Sequence, residues 1–188
     1  MRDIRTPLHI LADSREQQPW AWEPSDAVVE FAGLSAGDYC LKEDSEIVKG
    51  RELRAVRFSV ERKNLGDLAG TISSGWTRFN AELYRMSNMC ARIILVEGNF
   101  EQCCWHMRAT PDQFGGMMDP PEHGHPLIEP AFVARRIAEL SLMQVSVLFC
   151  GNAQMAACMA LHIFRRRADL LDSDSTNTQR LFLTGTRR

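Results

Sequence analysis

Phe58-Ser59-Val60-Glu61-Arg62-Lys63, followed by Asn64-Leu65-Gly66-Asp67, is the stretch on which the reading of this chain turns. In a β-strand successive side chains point to opposite faces, so Phe58 and Val60 share one face while Glu61 and Lys63 share the other. The carboxylate and the ammonium therefore project together, away from the apolar pair. Upstream, Gly37-Asp38-Tyr39 opens what reads as a neighbouring strand and brings a second acid to the same small volume. Two carboxylates hold a divalent cation, and an adjacent lysine orients or activates water and offsets a phosphate's charge. Taken alone, Glu61 and Lys63 read as a salt bridge on an exposed strand face. With Asp38 beside them, they make a centre suited to phosphodiester hydrolysis.

Working outward, Leu8 to Asp13 reads as a buried strand, and Gln17 to Pro24 as a loop, because its prolines exclude regular structure. Val28 to Ala32 and Asp38 to Lys42 read as strands, with Gly33 and Gly37 marking the turn between them. Glu43 to Arg54 reads as a charged hairpin loop, and Ala55 to Lys63 as the strand bearing Glu61 and Lys63. Asp67 to Cys90 is predicted to be largely helical, with a break near Ser73-Ser74-Gly75. Arg92 to Glu97 is predicted to be a strand, and Thr110 to Pro130 a long Pro-, Gly- and His-rich loop. A helix over Ala131 to Met143, a strand over Val145 to Cys150 and a helix over Ala153 to Leu171, capped by Asn152, complete the pattern. That alternation predicts an α/β fold with a mixed central sheet flanked by helices. From Asp172 the chain is polar and reads as a flexible tail, leaving 1–171 as one domain.

Leu8 to Glu16, Gly37-Asp38-Tyr39, Glu61-Arg62-Lys63 and Asp67-Leu68 resemble, in order, the successive motifs of XPF-type structure-specific nucleases. These are a branch of the PD-(D/E)xK endonuclease superfamily. The resemblance extends to Gly75 to Phe79 and to the strand Arg92 to Glu97. It implies a restriction-endonuclease-like sheet and a metal-dependent DNA endonuclease acting on branched, flapped or recombination and repair intermediates. The alternative is a catalytically silent DNA-binding or partner subunit, although such copies usually lose an acid or the lysine that this chain retains. The expected metal is Mg²⁺ or Mn²⁺, held by Asp38, Glu61 and the Arg62 backbone carbonyl, with Lys63 serving the attacking water or the phosphate charge. Asp13 ends the first strand and is a candidate for a second metal. The resemblance places Arg15 on the phosphate and Glu16 as its orienting partner. Arg62, Arg78 and Arg57 are candidate DNA contacts. Asp67 either caps the following helix or holds Arg62 or Lys63 in place. One departure is Trp76, which follows Gly75 where the family commonly has arginine.

The 188 residues suit one domain with a real core, and a hydrophobic share of 45% with 24% charged residues is that of an ordinary soluble protein. No apolar run opens the chain and no stretch is long enough to span a bilayer, so the expected location is cytoplasmic or nuclear. The six cysteines contain no C-x-x-C pair and read as reduced, mostly buried thiols. Cys103-Cys104-Trp105-His106 with His123 and His125 fits no standard zinc spacing. A net charge of −2 predicts modest, salt-sensitive DNA affinity. Between Ala153 and Phe164 only Gln154 and His162 are polar. Such a helix is expected to be buried on several sides, either under the preceding helix or in a homodimer or heterodimer.

Overall fold

The computed structural model describes residues 6–49, 53–86, 89–106 and 129–184. Its strands are β1 (Leu8–Asp13), β2 (Ala27–Ala32), β3 (Tyr39–Leu41), β4 (Ser45–Ile47), β5 (Arg54–Val56), β6 (Phe58–Lys63), β7 (Ala91–Val96) and β8 (Val145–Phe149). Its helices are α1 (Leu65–Ile72), α2 (Trp76–Arg85), α3 (Phe100–His106), α4 (Pro130–Leu142) and α5 (Ala153–Thr184). Six strands form one sheet in the order β2-β1-β3-β6-β7-β8, while β4 and β5 pair separately. β3 runs antiparallel to both β1 and β6, and the outer pairs are parallel. The mixed sheet flanked by helices is the fold class expected from the sequence.

Alternation along the strands sorts the core into two layers. Phe58, Val60 and Leu95 face the layer that receives Ala156, Ala160 and Phe164 of α5. Ile94 and Val96 face the other way, onto Leu68, Ile72, Leu83, Cys103, Val133 and Leu140 of α1 to α4. Glu61 and Lys63 have the parity of this second face. Helix α1 begins immediately after β6 and so stands beside them.

Several elements differ from the expectation. The strand expected over Ala55 to Lys63 is two strands with Arg57 between them. β4 lies inside the presumed hairpin loop. Helix α3, which the sequence reading passed over, starts at a reciprocal cap: Gln102 N–H donates to Asn99 Oδ1 at 2.7 Å, and Asn99 N–H to Gln102 Oε1 at 2.9 Å. Helix α5 is capped by Asn152, as expected, but runs past Leu171 to Thr184. No glycine or proline interrupts it over that span. It buries one stripe, Ala156, Ala160 and Phe164, and leaves Met155 52% and Met159 41% exposed. α4 lies on the opposite face of the sheet and does not cover them. Of the cysteines, Cys40, Cys103 and Cys104 are buried, but Cys90 and Cys158 are exposed. Most of the predicted 110–130 loop, with His123 and His125, lies outside the described residues. Among the described residues no group of three His, Cys, Asp or Glu side chains is placed to hold a metal by itself, and no helix is long and apolar enough to cross a membrane.

Candidate active site

The site forms where β3 stops and β6 continues. Tyr39 opposite Val60 is the one registered pair between them, so Glu61, Arg62 and Lys63 run on with β7 on one side only. Asp38 fills the gap on the other side. Its N–H donates to Val60 O at 3.1 Å and its carbonyl accepts from Asp13 N–H at 2.8 Å. Its carboxylate Oδ2 accepts from Arg62 N–H at 2.7 Å, standing in for the missing strand partner. Gly37 makes this approach possible. It has φ +71°, and a Cβ there would sit 2.4 Å from Ser59 Cβ.

Asp38 is thereby held against Glu61. Burial, and then the negative charge of Glu61, push the Asp38 carboxyl up to about 7, against the hydrogen bond from Arg62 N–H. Lys63 Nζ donates to Glu61 Oε1 at 2.6 Å. Burial pushes the Lys63 ammonium down, but Glu61, with Asp38 and Asp67 behind it, outweighs that and holds it above the ordinary lysine value. It is a permanent cation at neutral pH. Asp38 Oδ1 and Glu61 Oε2 take no hydrogen bond from the described residues, so each acid keeps one oxygen unbonded. The Arg62 carbonyl lies on the Asp38 side of the strand. Lys63 O accepts from Glu97 N–H on the β7 side, and successive carbonyls along a strand alternate.

Asp38 and Glu61 line a cleft of about 560 Å³ together with Asp13, Arg15, Glu16, Arg62, Asp67 and Glu82, among others. Two further clefts adjoin it and share Glu82. One, of about 390 Å³, runs along Gly66, Gly70, Thr71 and Ser74 from Glu61 and Lys63 to Arg78. The other, of about 370 Å³, holds Arg57, Met86 and Met89.

The structure redistributes several expected roles. Asp13 is spent within the protein. Its two oxygens accept from Arg15 N–H at 2.8 Å, Arg15 Nε at 2.7 Å, Arg15 Nη2 at 3.1 Å and Leu34 N–H at 2.9 Å. A carboxylate has about four lone-pair positions, so nothing remains for a second metal. Burial pushes Asp13 up, but those hydrogen bonds outweigh it and keep it below the usual aspartate range. Arg15 is tied to Asp13 along one edge while its side chain is 78% exposed at the cleft. The Arg62 guanidinium, expected on DNA, points to the opposite face of the sheet. It is held there by Glu97 and Glu16. Glu16 therefore orients Arg62 rather than Arg15. Asp67 is not the helix cap; Asn64 is, with Asn64 Oδ1 accepting from Asp67 N–H at 2.8 Å. Arg57 is exposed and donates to the Glu43 carbonyl at 3.0 Å. Arg78 has no hydrogen bond or ion pair among the described residues. At Trp76, the departure from the family pattern, the guanidinium of Arg136 from α4 lies over the ring at 4.3 Å from its centroid.

Sequence reasoning missed Glu82 and Glu97. Glu82 sits on an amphipathic helix where a charged residue reads as surface. Glu97 follows the last apolar residue of β7, and its partner comes from a strand 35 positions away.

The acid pair, the lysine and the sheet order define the class: an XPF-type nuclease domain. A family model described as the ERCC4 domain matches residues 12–161, and the chain belongs to that family. Among solved structures it is similar to XPF from Aeropyrum pernix, at 20% identity and a TM-score of 0.54, over 94% of this chain and 73% of that one. A second match is XPF from Aeropyrum pernix in complex with DNA, at 17% identity and a TM-score of 0.54, over 86% of this chain and 65% of the other. At these identities the likeness is one of fold. No curated protein sequence matches the chain.

Proposed function

We propose that this chain is a Mg²⁺- or Mn²⁺-dependent DNA endonuclease acting on branched or flapped intermediates. The observation that carries the proposal is that Asp38 and Glu61 line one cleft, each with one carboxylate oxygen unbonded among the described residues, while the Lys63 ammonium bonds Glu61 at 2.6 Å and lines the adjoining cleft. The donor set suits a hard divalent cation: two carboxylate oxygens and the Arg62 carbonyl are all oxygen donors, and Mg²⁺ keeps several waters besides. Burial and the negative charge of Glu61 push up the Asp38 carboxyl, a strain that a bound cation relieves. When bound, the ion supplies Lewis-acid neutralisation of the phosphoryl oxygens and a water of lowered pKa.

The chain's own residues do the rest. Asp38 and Glu61 would hold the ion at a fixed place relative to β6. Lys63, charged at neutral pH, stands where charge develops on the phosphoryl oxygens. Arg15 at the cleft and Arg78 in the adjoining groove contact the flanking phosphates. The main cleft is lined by six carboxylates, those of Asp13, Glu16, Asp38, Glu61, Asp67 and Glu82, against the exposed guanidinium of Arg15. Without a divalent cation it repels DNA. Two copies pair through α5, whose exposed Met155 and Met159 form an apolar strip, as a homodimer or with a related subunit.

A panel of labelled linear, flap, fork and four-way junction DNAs, incubated with Mg²⁺ or with EDTA, tests the proposal. Cleavage of branched substrates in Mg²⁺ alone is the expected pattern. Binding in Mg²⁺ without cleavage would instead mark a silent partner subunit.

A further inference from the structure

Arg62 stands between Glu61 and Lys63 in sequence but on the other side of the sheet, in the parity of Val60. There its side chain is 16% exposed and makes four hydrogen bonds. Nε donates to Glu97 Oε1 at 2.7 Å and Nη2 to Glu97 Oε2 at 3.2 Å, a bidentate pair. Nη1 donates to Glu16 Oε1 at 3.2 Å and to the Gln18 carbonyl. Glu97, only 8% exposed, also accepts from Trp20 Nε1 at 2.8 Å. The Trp20 ring lies 5.8 Å from the guanidinium and stacks on Tyr39, with centroids 4.7 Å apart. One guanidinium thus ties the loop after β1, the end of β6 and the end of β7 to a rigid aromatic pair. The backbone N–H of the same residue is the donor that Asp38 accepts.

We infer that Glu97 is a positioning residue of the metal centre: by fixing Arg62 it fixes the Asp38 carboxylate and the Arg62 carbonyl at the spacing the cation needs. The inference rests on the metal-dependent reading above. Beyond Val60 the strand has no β3 partner, so its position on that side depends on what Arg62 holds. With Glu97 neutral, a nearly buried guanidinium keeps only Glu16 as counter-charge and moves toward water, taking the strand end with it. Glu97 lines none of the three clefts, so an effect on DNA binding is not expected.

Glu97→Gln tests this in the full chain, with Mn²⁺ titrated calorimetrically into the metal-free protein and with kcat and KM measured on the best-cleaved junction. Mn²⁺ affinity and kcat are expected to fall about tenfold or more, as for other groups that hold metal ligands in place, while KM stays within about twofold. Should Glu97→Gln not fold, Trp20→Phe removes one donor to Glu97 but keeps a ring beneath Arg62; a smaller loss of Mn²⁺ affinity is then expected. A lowered melting temperature with Mn²⁺ affinity and kcat unchanged would show a merely structural role and overturn the inference. A wild-type chain that neither binds Mn²⁺ nor cleaves any junction would overturn the proposed function, and this inference with it.

Discussion

Replacing Asp38 by asparagine stabilises the metal-free protein, by an amount that depends on pH. In the folded chain burial and Glu61 hold the Asp38 carboxyl at about 7, against an ordinary value of 3.8. Between those values the folded state binds a proton that the unfolded state has released. The stability this group contributes is therefore fully present below pH 3.8 and is lost as pH rises through about 7. At ~1.36 kcal/mol per pH unit the whole displacement is worth about 4 kcal/mol. Asp38 shares its environment with Glu61 and Lys63, and asparagine must still accept from Arg62 N–H with its amide oxygen, so about 2–3 kcal/mol is the realistic gain. For a chain of this size that is roughly 5–10 °C in melting temperature above pH 7, and about a third of it at pH 5.

Thermal melts of both proteins in EDTA, from pH 5 to 9, measure the gap directly. Adding Mn²⁺ at pH 8 is expected to raise the wild type and leave Asp38→Asn nearly unmoved. A variant that melts below the wild type at pH 8.5, or a gap that does not widen with pH, is the opposite outcome. It would mean that Asp38 is not held unfavourably against Glu61.

Other expectations follow from particular contacts. Gly37→Ala forces a Cβ to 2.4 Å from Ser59 Cβ at a positive φ, so it should cost about 3 kcal/mol or more, read as a lower denaturation midpoint, and displace Asp38. Arg78→Ala should weaken binding alike for all DNA sequences and reduce the slope of log affinity against log salt by about 1, measured by anisotropy. Met155→Glu with Met159→Glu changes exposed positions, so light scattering should show a 21.3 kDa monomer with the melting temperature of the parent fold.

The face carrying Glu61 and Lys63 was legible because β6 obeys a period of two and its apolar positions, Phe58 and Val60, have no ambiguity. Asp38 was legible through Gly37, whose backbone freedom marks a turn. The fate of the charged partners was not. Asp13 reads as a free acid until Arg15 and the Leu34 N–H, 21 positions away, close around it. Arg62 reads as a surface cation because it stands between the charged Glu61 and Lys63, yet its parity with Val60 already sends it the other way. That inversion could have been read from the same alternation. Helix α3 was also available from Asn99 and Gln102, spaced as a reciprocal cap. The extent of α5 beyond Leu171 was not, because its polar residues carry no apolar stripe to set against a loop.

Cleavage of flap and fork DNA by the wild type and by Glu61→Gln, in Mg²⁺ and in EDTA, decides whether Asp38, Glu61 and Lys63 form a metal-dependent nuclease centre. Glu61→Gln keeps the side chain's shape and an acceptor for Lys63 Nζ, so the fold should persist and a circular-dichroism melt will confirm it. The expected result is incision by the wild type in Mg²⁺ only, and none by Glu61→Gln in either buffer. Incision by a folded Glu61→Gln protein in Mg²⁺, or by the wild type in EDTA, would contradict it.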